Sequence, residues 1–306
     1  MKSEAIQGIV LFQIGTVEIQ KNNSAFVPVS MQDSVAENDI IKTGAHSFVT
    51  IQFEERGVIR VQDNTTLQFT KFFSDNKAEF FLKEGQVLSK INRLKKNEQF
   101  IVKTPTAVAS VRGTEFSTSY ENNRSAVAVK NGEVIVGKKL SANQSSKDDS
   151  YIQQTNVSAG KTAVVTESVA EKESSAEVKI DLRPISDVEN LTLEKIAAVE
   201  IVKDVKNKST KDLEELKNNL LKKEVEINIQ LAPKVKEEKI QALIAKRINS
   251  LEEIKEVFER IDEITLYNRR VVTGAIITRG NVYTVLTTNG TVEIQENEIK
   301  GIRVIK

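Results

Sequence analysis

Between residues 8 and 182, short runs of alternating apolar and polar residues recur, and a glycine precedes many of them. In one such run, Val49, Ile51 and Phe53 are separated by single polar residues. A period of two places these side chains on one face of a β-strand, and glycine favours the turn before it. The pattern predicts a β-rich domain over residues 8–182, built either as an antiparallel β-sandwich or as a β-solenoid.

The apolar spacing becomes helical between residues 183 and 265. Ser186 stands three residues before Glu189, an arrangement typical of a capping box at the start of a helix. Pro233 suits the first turn of another helix, where its missing N–H has no partner to lose. The segment predicts three or four amphipathic helices. The last of them should carry an apolar stripe formed by Leu251, Ile254, Phe258 and Ile261.

Strand-like runs return over residues 266–306, and Asn289-Gly290 is a strong hairpin signal between two of them. So short a sheet cannot enclose a core by itself. We therefore expect a small antiparallel β-meander that packs on the apolar stripe before it. The chain should thus contain a β-domain (8–182), a helical segment (183–265) and this meander (266–306), the last two forming an α+β region.

Two polar stretches interrupt these patterns. Residues 141–150 contain almost no apolar side chain and should form a loop inside the β-domain, because the strand-like pattern resumes after them. Residues 169–179 are charged and serine-rich, and we interpret them as a connector.

Composition narrows the classes of function. The chain carries 44 basic and 43 acidic side chains, so no net field attracts nucleic acid. Cysteine is absent, which excludes disulfides, thiolate catalysis and cysteine-based metal sites. His46 is the single histidine, and a turn position beside Gly44 explains it better than catalysis or metal binding does. The sequence therefore predicts no catalytic residue, no metal site and no nucleic-acid partner.

Residues 155–162 come nearest to a nucleotide-binding motif, since they end in Gly160-Lys161-Thr162. A phosphate-binding P-loop also needs glycine at its first position and a helix after its last. Thr155 stands at the first position, and the residues after Thr162 are strand-like. We therefore expect a turn before a strand here, and no cofactor.

The most distinctive stretch spans residues 102–116 and joins a Thr-Pro bend to an Arg-Gly-Thr turn. It resembles the signature of the FecR domain, a β-module of bacterial cell envelopes, and the resemblance covers about residues 8–166. Further segments match that family in the same order, at residues 38–44, 82–87, 127–134 and 157–164. The motif residues, which the resemblance marks as structural, are Thr104, Pro105, Val111, Arg112, Gly113, Thr114 and Phe116.

The resemblance implies sensing or interaction and not catalysis. Full regulators of this family have a cytoplasmic segment that binds a sigma factor, one transmembrane helix and a periplasmic β-domain. Of these three parts, this chain resembles only the β-domain. We therefore interpret the chain as a non-enzymatic interaction or scaffold protein of the cell envelope, with a protein partner there. The alternative is the periplasmic sensing part of a FecR-type regulator of sigma-factor activity.

The N-terminus leaves two interpretations of the compartment open. Residues 1–7 contain no apolar core of a signal peptide, and no apolar run reaches the ~20 residues that span a bilayer. A cytoplasmic protein is the plain interpretation. The resemblance favours a periplasmic or outer-envelope protein that is secreted or lipid-anchored. In that interpretation, Met1 stands in place of a removed leader.

Three clusters could contact a partner. They are the pair Phe72 and Phe73, the pair Phe80 and Phe81, and a basic group of Arg93, Lys95 and Lys96. Contacts within the chain explain the rings better, and a solvated loop explains the basic group better. Arg112 should hold its turn by pairing with a carboxylate or carbonyl group, or else bind a ligand. The oligomeric state is open.

Overall fold

The computed structural model describes residues 7–139, 151–166, 180–246 and 248–305. The predicted loop at 141–150 and the predicted connector at 169–179 lie outside these residues. The chain divides into two compact units, Met1–Asn228 and Ile229–Lys306.

The first unit is a β-sandwich of two facing sheets. Its strands are β1 (Gly8–Ile14), β2 (Val17–Gln20), β3 (Phe26–Pro28), β4 (Ser34–Val35), β5 (Ile40–Thr43), β6 (Phe48–Phe53), β7 (Gly57–Val61), β8 (Thr66–Ser74), β9 (Lys77–Ile91), β10 (Gln99–Lys103), β11 (Ala107–Val111), β12 (Thr114–Glu121), β13 (Arg124–Asn131), β14 (Glu133–Lys139), β15 (Tyr151–Ser158), β16 (Lys161–Thr166) and β17 (Ile180–Pro184). The predicted β-rich fold is confirmed.

Each sheet is antiparallel apart from a parallel pairing between β9 and β10. The sheet we call the helix-covered sheet contains β1, β4, β6, β7, β12, β13, β16 and β17. The other sheet contains β2, β3, β5, β8, β10, β11, β14 and β15. The strand after Gly160, β16, pairs with β13, so it belongs to the β-domain as its pattern predicted.

Strand β9 belongs to both sheets. Its first half pairs with β8 as far as Glu84, and its second half pairs with β12 from Gly85 onward. Gly85 lies at this corner with a φ of +93°, and a Cβ there would come 2.2 Å from Thr65 Oγ1. Glycine is the residue that combines a positive φ with so close an approach. One continuous strand therefore joins the two sheets.

Phenylalanine rings fill the core between the sheets. Phe80 is fully buried, and its ring centroid lies 5.0 Å from that of Phe100 and 5.8 Å from that of Phe72. The prediction that Phe72 and Phe80 belong to a partner surface is therefore wrong. Adjacent strand residues point to opposite faces, and these two rings point inward. Their neighbours Phe73 and Phe81 are only half-buried.

Two helices cover the outer face of the helix-covered sheet. They are α1 (Asp187–Ala197) and the part of α2 (Thr210–Ala245) that belongs to the first unit, and the predicted capping box of Ser186 and Glu189 begins α1. A second core forms here from Leu11, Phe12, Val58, Leu88, Leu193, Ile196, Leu213 and Leu220. The apolar spacing showed that these helices have a buried face, but it did not show that the β-sandwich covers it.

Polar contacts fix the helices to that sheet. The buried guanidinium of Arg60 donates to both carboxylate oxygens of Glu224, at 2.5 and 3.1 Å, and lies 3.5 Å from the centroid of the Phe48 ring. Burial lowers the pKa of Arg60, although Glu224 opposes that change. The Gln52 amide donates to the carbonyl of Val202 at 2.6 Å and accepts from its N–H at 2.9 Å. When a sheet carries polar groups on a face that becomes buried, the covering element has to supply hydrogen-bond partners for those groups.

The second unit packs a short helix on a five-stranded sheet. Its elements are α3 (Leu251–Phe258), β18 (Ile261–Leu266), β19 (Val271–Thr278), β20 (Val282–Thr287), β21 (Gly290–Gln295) and β22 (Ile299–Ile305). The strands lie in the order β21-β20-β19-β18-β22. Ile254 of α3 is fully buried, in one apolar cluster with Ala275 and Leu286 of the sheet.

Two details of the predicted helices are wrong. The stripe was expected to continue on a helix as far as Ile261, but α3 ends at Phe258 because Glu259 adopts a left-handed conformation (φ +61°), and Ile261 begins β18. Pro233 lies inside α2 and not in the first turn of a helix. An interior proline removes one backbone hydrogen bond from this helix of 36 residues.

Candidate functional site

The Thr-Pro bend of the motif is held by hydroxyl groups inside the sandwich. Thr104 is fully buried, its Oγ1 accepts from the Ala107 N–H at 2.8 Å, and its own N–H donates to the Ala107 carbonyl at 2.8 Å. Thr104 and Thr106 both share hydrogen bonds with the hydroxyl of Ser125 on β13. Pro105 is exposed at the tip and fixes the bend through its restricted φ. These hydrogen bonds and the ring of Pro105 hold the bend in place.

Three further motif residues are buried. Val111 ends β11, and the ring of Phe116 lies in the aromatic core, 6.3 Å from that of Phe100. The Thr114 hydroxyl donates to the carbonyl of Glu133 at 3.0 Å, which joins the turn to the start of β14. All three side chains are thus enclosed within the first unit.

Gly113 lies where two backbone segments meet. Its φ of +159° is close to extended backbone, so the need for glycine comes from a neighbour: a Cβ would lie 3.1 Å from Arg93 Cα. Gly132 approaches from the other side with a φ of +85°, and a Cβ there would lie 2.7 Å from the Gly113 carbonyl oxygen. Both glycines allow the Arg-Gly-Thr turn to pack between two loops.

Arg112 is different from the other motif residues. Its backbone carbonyl accepts from the Leu94 N–H at 2.7 Å, but its side chain is exposed. Within the described part of the chain, the guanidinium has no hydrogen bond or ion pair. The prediction that Arg112 holds the turn through its side chain is therefore wrong, and the motif's one long charged side chain is left for solvent or a ligand.

A cleft of about 560 Å³ surrounds this turn, and we call it the motif cleft. Arg93 and Arg112 are exposed on its wall. Glu115 accepts from the side chain of Asn131 at 2.5 Å. The remaining lining residues are Lys90, Ile91, Asn92, Gly113, Thr114, Gly132 and Glu133.

Lys90 is occupied by the helical cover. Its Nζ donates to the carbonyls of Ala197 and Val199, both at 2.9 Å, at the C-terminal end of α1. A cation placed at the C-terminus of a helix is favoured by the helix dipole. Of the cations that line the motif cleft, Arg93 and Arg112 therefore remain available to a ligand.

A second cleft of about 560 Å³ shares Asn92 and Arg93 with the first. Glu98 lies in its wall and accepts from Arg56 at 3.1 and 3.2 Å and from the Lys95 N–H at 3.1 Å. Burial alone would raise the pKa of the Glu98 carboxyl, but these donors outweigh it and hold that pKa below its ordinary value. This ion pair fixes the loop that carries Arg93.

The structure also locates the rest of the predicted partner surface. The guanidinium of Arg56 lies over Phe73, 4.8 Å from the centroid of the Phe73 ring. A contact within the chain therefore accounts for the outer side of Phe73. Phe81 is half-buried on β9, whereas Arg93, Lys95 and Lys96 are exposed. The structure brings Arg93 and Arg112 together in one cleft, a pairing that sequence reasoning did not anticipate.

The other candidate positions show no sign of chemistry. His46 is exposed in a turn, and residues 155–162 form the end of β15, a turn and the start of β16. Among the described residues, no group of three or more histidine and acidic side chains could hold a metal ion. No helix in the described ranges is both long and apolar enough to cross a membrane.

Residues 39–135 match the family model described as FecR protein. No curated protein matches the chain. Two crystal structures of a candidate anti-sigma factor from Parabacteroides distasonis ATCC 8503 are similar to 52% of this chain, with 17% and 18% sequence identity and TM-scores of 0.38 and 0.37. The matches span 63% and 62% of those chains, which is less than two thirds of their length.

Proposed function

We propose, from the FecR domain that residues 39–135 form, that this chain is a non-enzymatic regulator that acts by binding a protein partner. The observation that supports this most directly is Arg112, an exposed motif residue whose side chain has no structural partner among the described residues. Regulation through protein contact needs an exposed recognition surface and no catalytic group.

The motif cleft is the surface that we propose for this contact. Thr104, Val111, Thr114 and Phe116 are buried and support the fold, whereas Arg112 projects from the turn that they position. A turn held by the sheet presents a side chain with little further loss of backbone conformational entropy on binding. The fold thus pre-organises the residue that is left free.

The chemistry of the cleft favours an acidic segment on the partner. The exposed residues Arg93 and Arg112 both line the cleft, and a guanidinium binds a carboxylate through two parallel hydrogen bonds. Arginine is also enriched among the residues that dominate protein interfaces. We therefore expect the partner to present carboxylate side chains to Arg93 and Arg112.

Photo-crosslinking in living cells would test this proposal. A photoreactive amino acid at position 112 should capture one defined protein, whereas the same substitution at the exposed Lys83 on β9 should not. Arg112→Glu should abolish capture from a photoreactive residue at position 93. Capture at position 83 as strong as at position 112 would contradict the cleft as the binding surface.

Transcript profiling then tests the regulatory role. Arg112→Glu and a deletion of the gene should change the same small set of transcripts if the chain acts as a FecR-type signalling regulator. Unchanged transcripts together with a lost envelope complex would instead support the second candidate, an envelope scaffold. That candidate is favoured by the second unit, which lies wholly outside the residues that match the family.

The compartment can be measured in the same cells. We propose an envelope location, because FecR-domain proteins are typically associated with the envelope. Protease added to spheroplasts should degrade the chain while leaving a cytoplasmic marker intact. Protection of the chain equal to that of the marker would contradict this location.

A further inference from the structure

The second cleft adjoins the motif cleft along the loop between β9 and β10. Asn92 and Arg93 of this loop line both clefts. On one side, the Asn92 N–H donates to the Arg56 carbonyl at 2.9 Å, which fixes the loop to the turn between β6 and β7. On the other side, the Leu94 N–H donates to the Arg112 carbonyl at 2.7 Å. The backbone of Arg93 is therefore held between two turns, and a ligand in either cleft can reach its exposed side chain.

The base of the second cleft is apolar. Ile9 of β1, Leu94 and Val205 line the cleft and are 7%, 8% and 3% exposed. A volume of about 560 Å³ lies within the range of cavities that enclose a ligand group. The exposed lining residues form a polar rim and include Glu55, Lys95, Asp204 and Lys206. An apolar base inside a polar rim is the arrangement with which protein interfaces bind an apolar anchor side chain.

The cations of the second cleft differ in whether they are already paired. Arg56 forms ion pairs with Glu54 and Glu98, so its charge is balanced within the chain. The exposed side chains of Arg93 and Lys95 form no hydrogen bond or ion pair with another described residue. Two cations of one loop are thus available to a ligand beside the apolar base.

Unpaired acids line each cleft away from the shared wall. Glu55 lines only the second cleft and Glu133 only the motif cleft, and neither carboxylate has a partner among the described residues. The unpaired cations cluster around Arg93, because Lys95 follows it by two residues and the Arg112 backbone is bonded to the residue after it. A ligand that crosses the shared wall should therefore carry its negative charge near its middle.

We propose that the protein partner of the motif cleft binds through one extended segment, which places carboxylates on Arg93 and Arg112 and inserts a neighbouring apolar side chain into the second cleft. This inference rests on the proposed function, because it uses the same cleft and the same partner. Since Arg93 lines both clefts, the acidic residue that it binds lies within about three residues of the anchor, a distance of about 10 Å in an extended chain. The carboxylates orient the segment, and burial of the anchor adds affinity.

Photo-crosslinking at a position that lines only the second cleft tests this inference. A photoreactive amino acid at position 55 should capture the same protein in living cells as one at position 112, and position 83 remains the control. Mass spectrometry of the digested products should locate both crosslinks in one segment of that protein. The residues at the position-55 crosslink should include an apolar side chain within about three residues of an acidic one.

The two proposals can fail separately in this experiment. Capture at position 112 without capture at position 55 would overturn the anchor and leave the motif cleft as the binding surface. Capture of a different protein at position 55, or of a segment without an apolar side chain, would do the same. Absence of capture at both positions would overturn both proposals.

A substitution in the apolar base gives an independent measurement. Val205→Thr replaces a methyl group by a hydroxyl group at nearly constant volume, so it makes the base polar with little change of shape. It should lower the yield of the crosslink from position 112 at least threefold. Lys203→Gln, at an exposed position outside both clefts, is the control and should leave that yield unchanged. Circular dichroism checks that both variants are folded, and equal yields from the two folded chains would overturn the anchor. If Val205→Thr does not fold, the crosslink from position 55 decides.

Discussion

The two sheets that receive helices in this chain differ in how completely their apolar faces are covered. The helix-covered sheet of the first unit has the aromatic core on one face and α1 and α2 on the other. The five-stranded sheet of the second unit receives α3, yet Ile302 and Val304 at its edge remain exposed. A sheet buried on both faces contributes mainly to stability, whereas an apolar edge in contact with water is available for association.

Truncation of the first unit should have the largest effect on folding of the changes that test this comparison. A fragment of residues 1–139 loses β15, β16 and β17 together with the helical cover, so strand edges and the outer face of the sheet become exposed. We expect it to aggregate, whereas the control fragment 1–228 should remain soluble and unfold in one cooperative transition. Urea denaturation followed by circular dichroism measures both. Cooperative unfolding of the shorter fragment would show that the cover is dispensable.

Removing a ring from the aromatic core should produce the next largest effect. Phe80→Ala deletes a fully buried side chain at the centre of the cluster and should lower the free energy of unfolding by about 3–5 kcal/mol. Phe81→Ala, at the half-buried neighbouring position, is the matched control and should cost clearly less. Equal losses for the two variants in urea denaturation would contradict the assignment of inward and outward faces on β9.

The corresponding change in the second unit sharpens the comparison. Ile254→Ala removes the fully buried side chain of α3 and should cost about 2–5 kcal/mol in the stability of that unit. Phe258→Ala should lower the stability of that unit by less than the loss of a fully buried ring would, because Phe258 is only half-buried. Hydrogen exchange resolved by residue can follow β18 to β22 separately from the first unit. Protection in these strands that is unaffected by Ile254→Ala would show that α3 does not support the sheet.

Substitution of the two glycines in the motif cleft should lower stability by smaller amounts, and by different amounts at the two positions. Gly132→Ala places a Cβ 2.7 Å from the Gly113 carbonyl oxygen at a φ of +85°, and it should cost about 1–3 kcal/mol. Gly113→Ala should cost less, because its φ of +159° is close to extended and its nearest contact is 3.1 Å. Thermal unfolding ranks the two variants. The reverse order would mean that Gly113, and not Gly132, limits the geometry of the turn.

Acid should reveal the smallest of these effects. The pKa of Glu98 is lower in the folded protein than its ordinary value of about 4.3, so its ion pair stabilises the first unit fully above that pH. This contribution is lost as the pH falls through the lowered pKa. Glu98→Gln should therefore reduce the loss of stability in acid, whereas Glu54→Gln, at the more exposed partner of Arg56, should change it less. An unchanged acid profile for Glu98→Gln would contradict this role.

Local sequence patterns predicted the element types because those patterns follow from short-range physics. Val49, Ile51 and Phe53 alternate with a period of two, which places them on one face only if the segment is a strand. Ser186 and Glu189 pair with the first N–H groups of a helix and need no other element to do so. The Thr-Pro bend at Thr104 is partly local, since its hydrogen bonds to Ala107 lie within four residues, while Ser125 of β13 adds a contact from outside the bend. These features appeared in the structure where the sequence placed them.

The tertiary structure decided which faces met. Phe72 and Phe73 have the same side chain, but Phe72 is buried in the core, whereas Phe73 is half-buried and lies beneath Arg56. Arg93 and Arg112 stand far apart in sequence, and packing of two loops brought them into one cleft. The exposure of Ile302 likewise depends on which strand lies at the edge. Sequence spacing sets the direction of a side chain within its own element, but partners distant in the chain determine what that side chain meets.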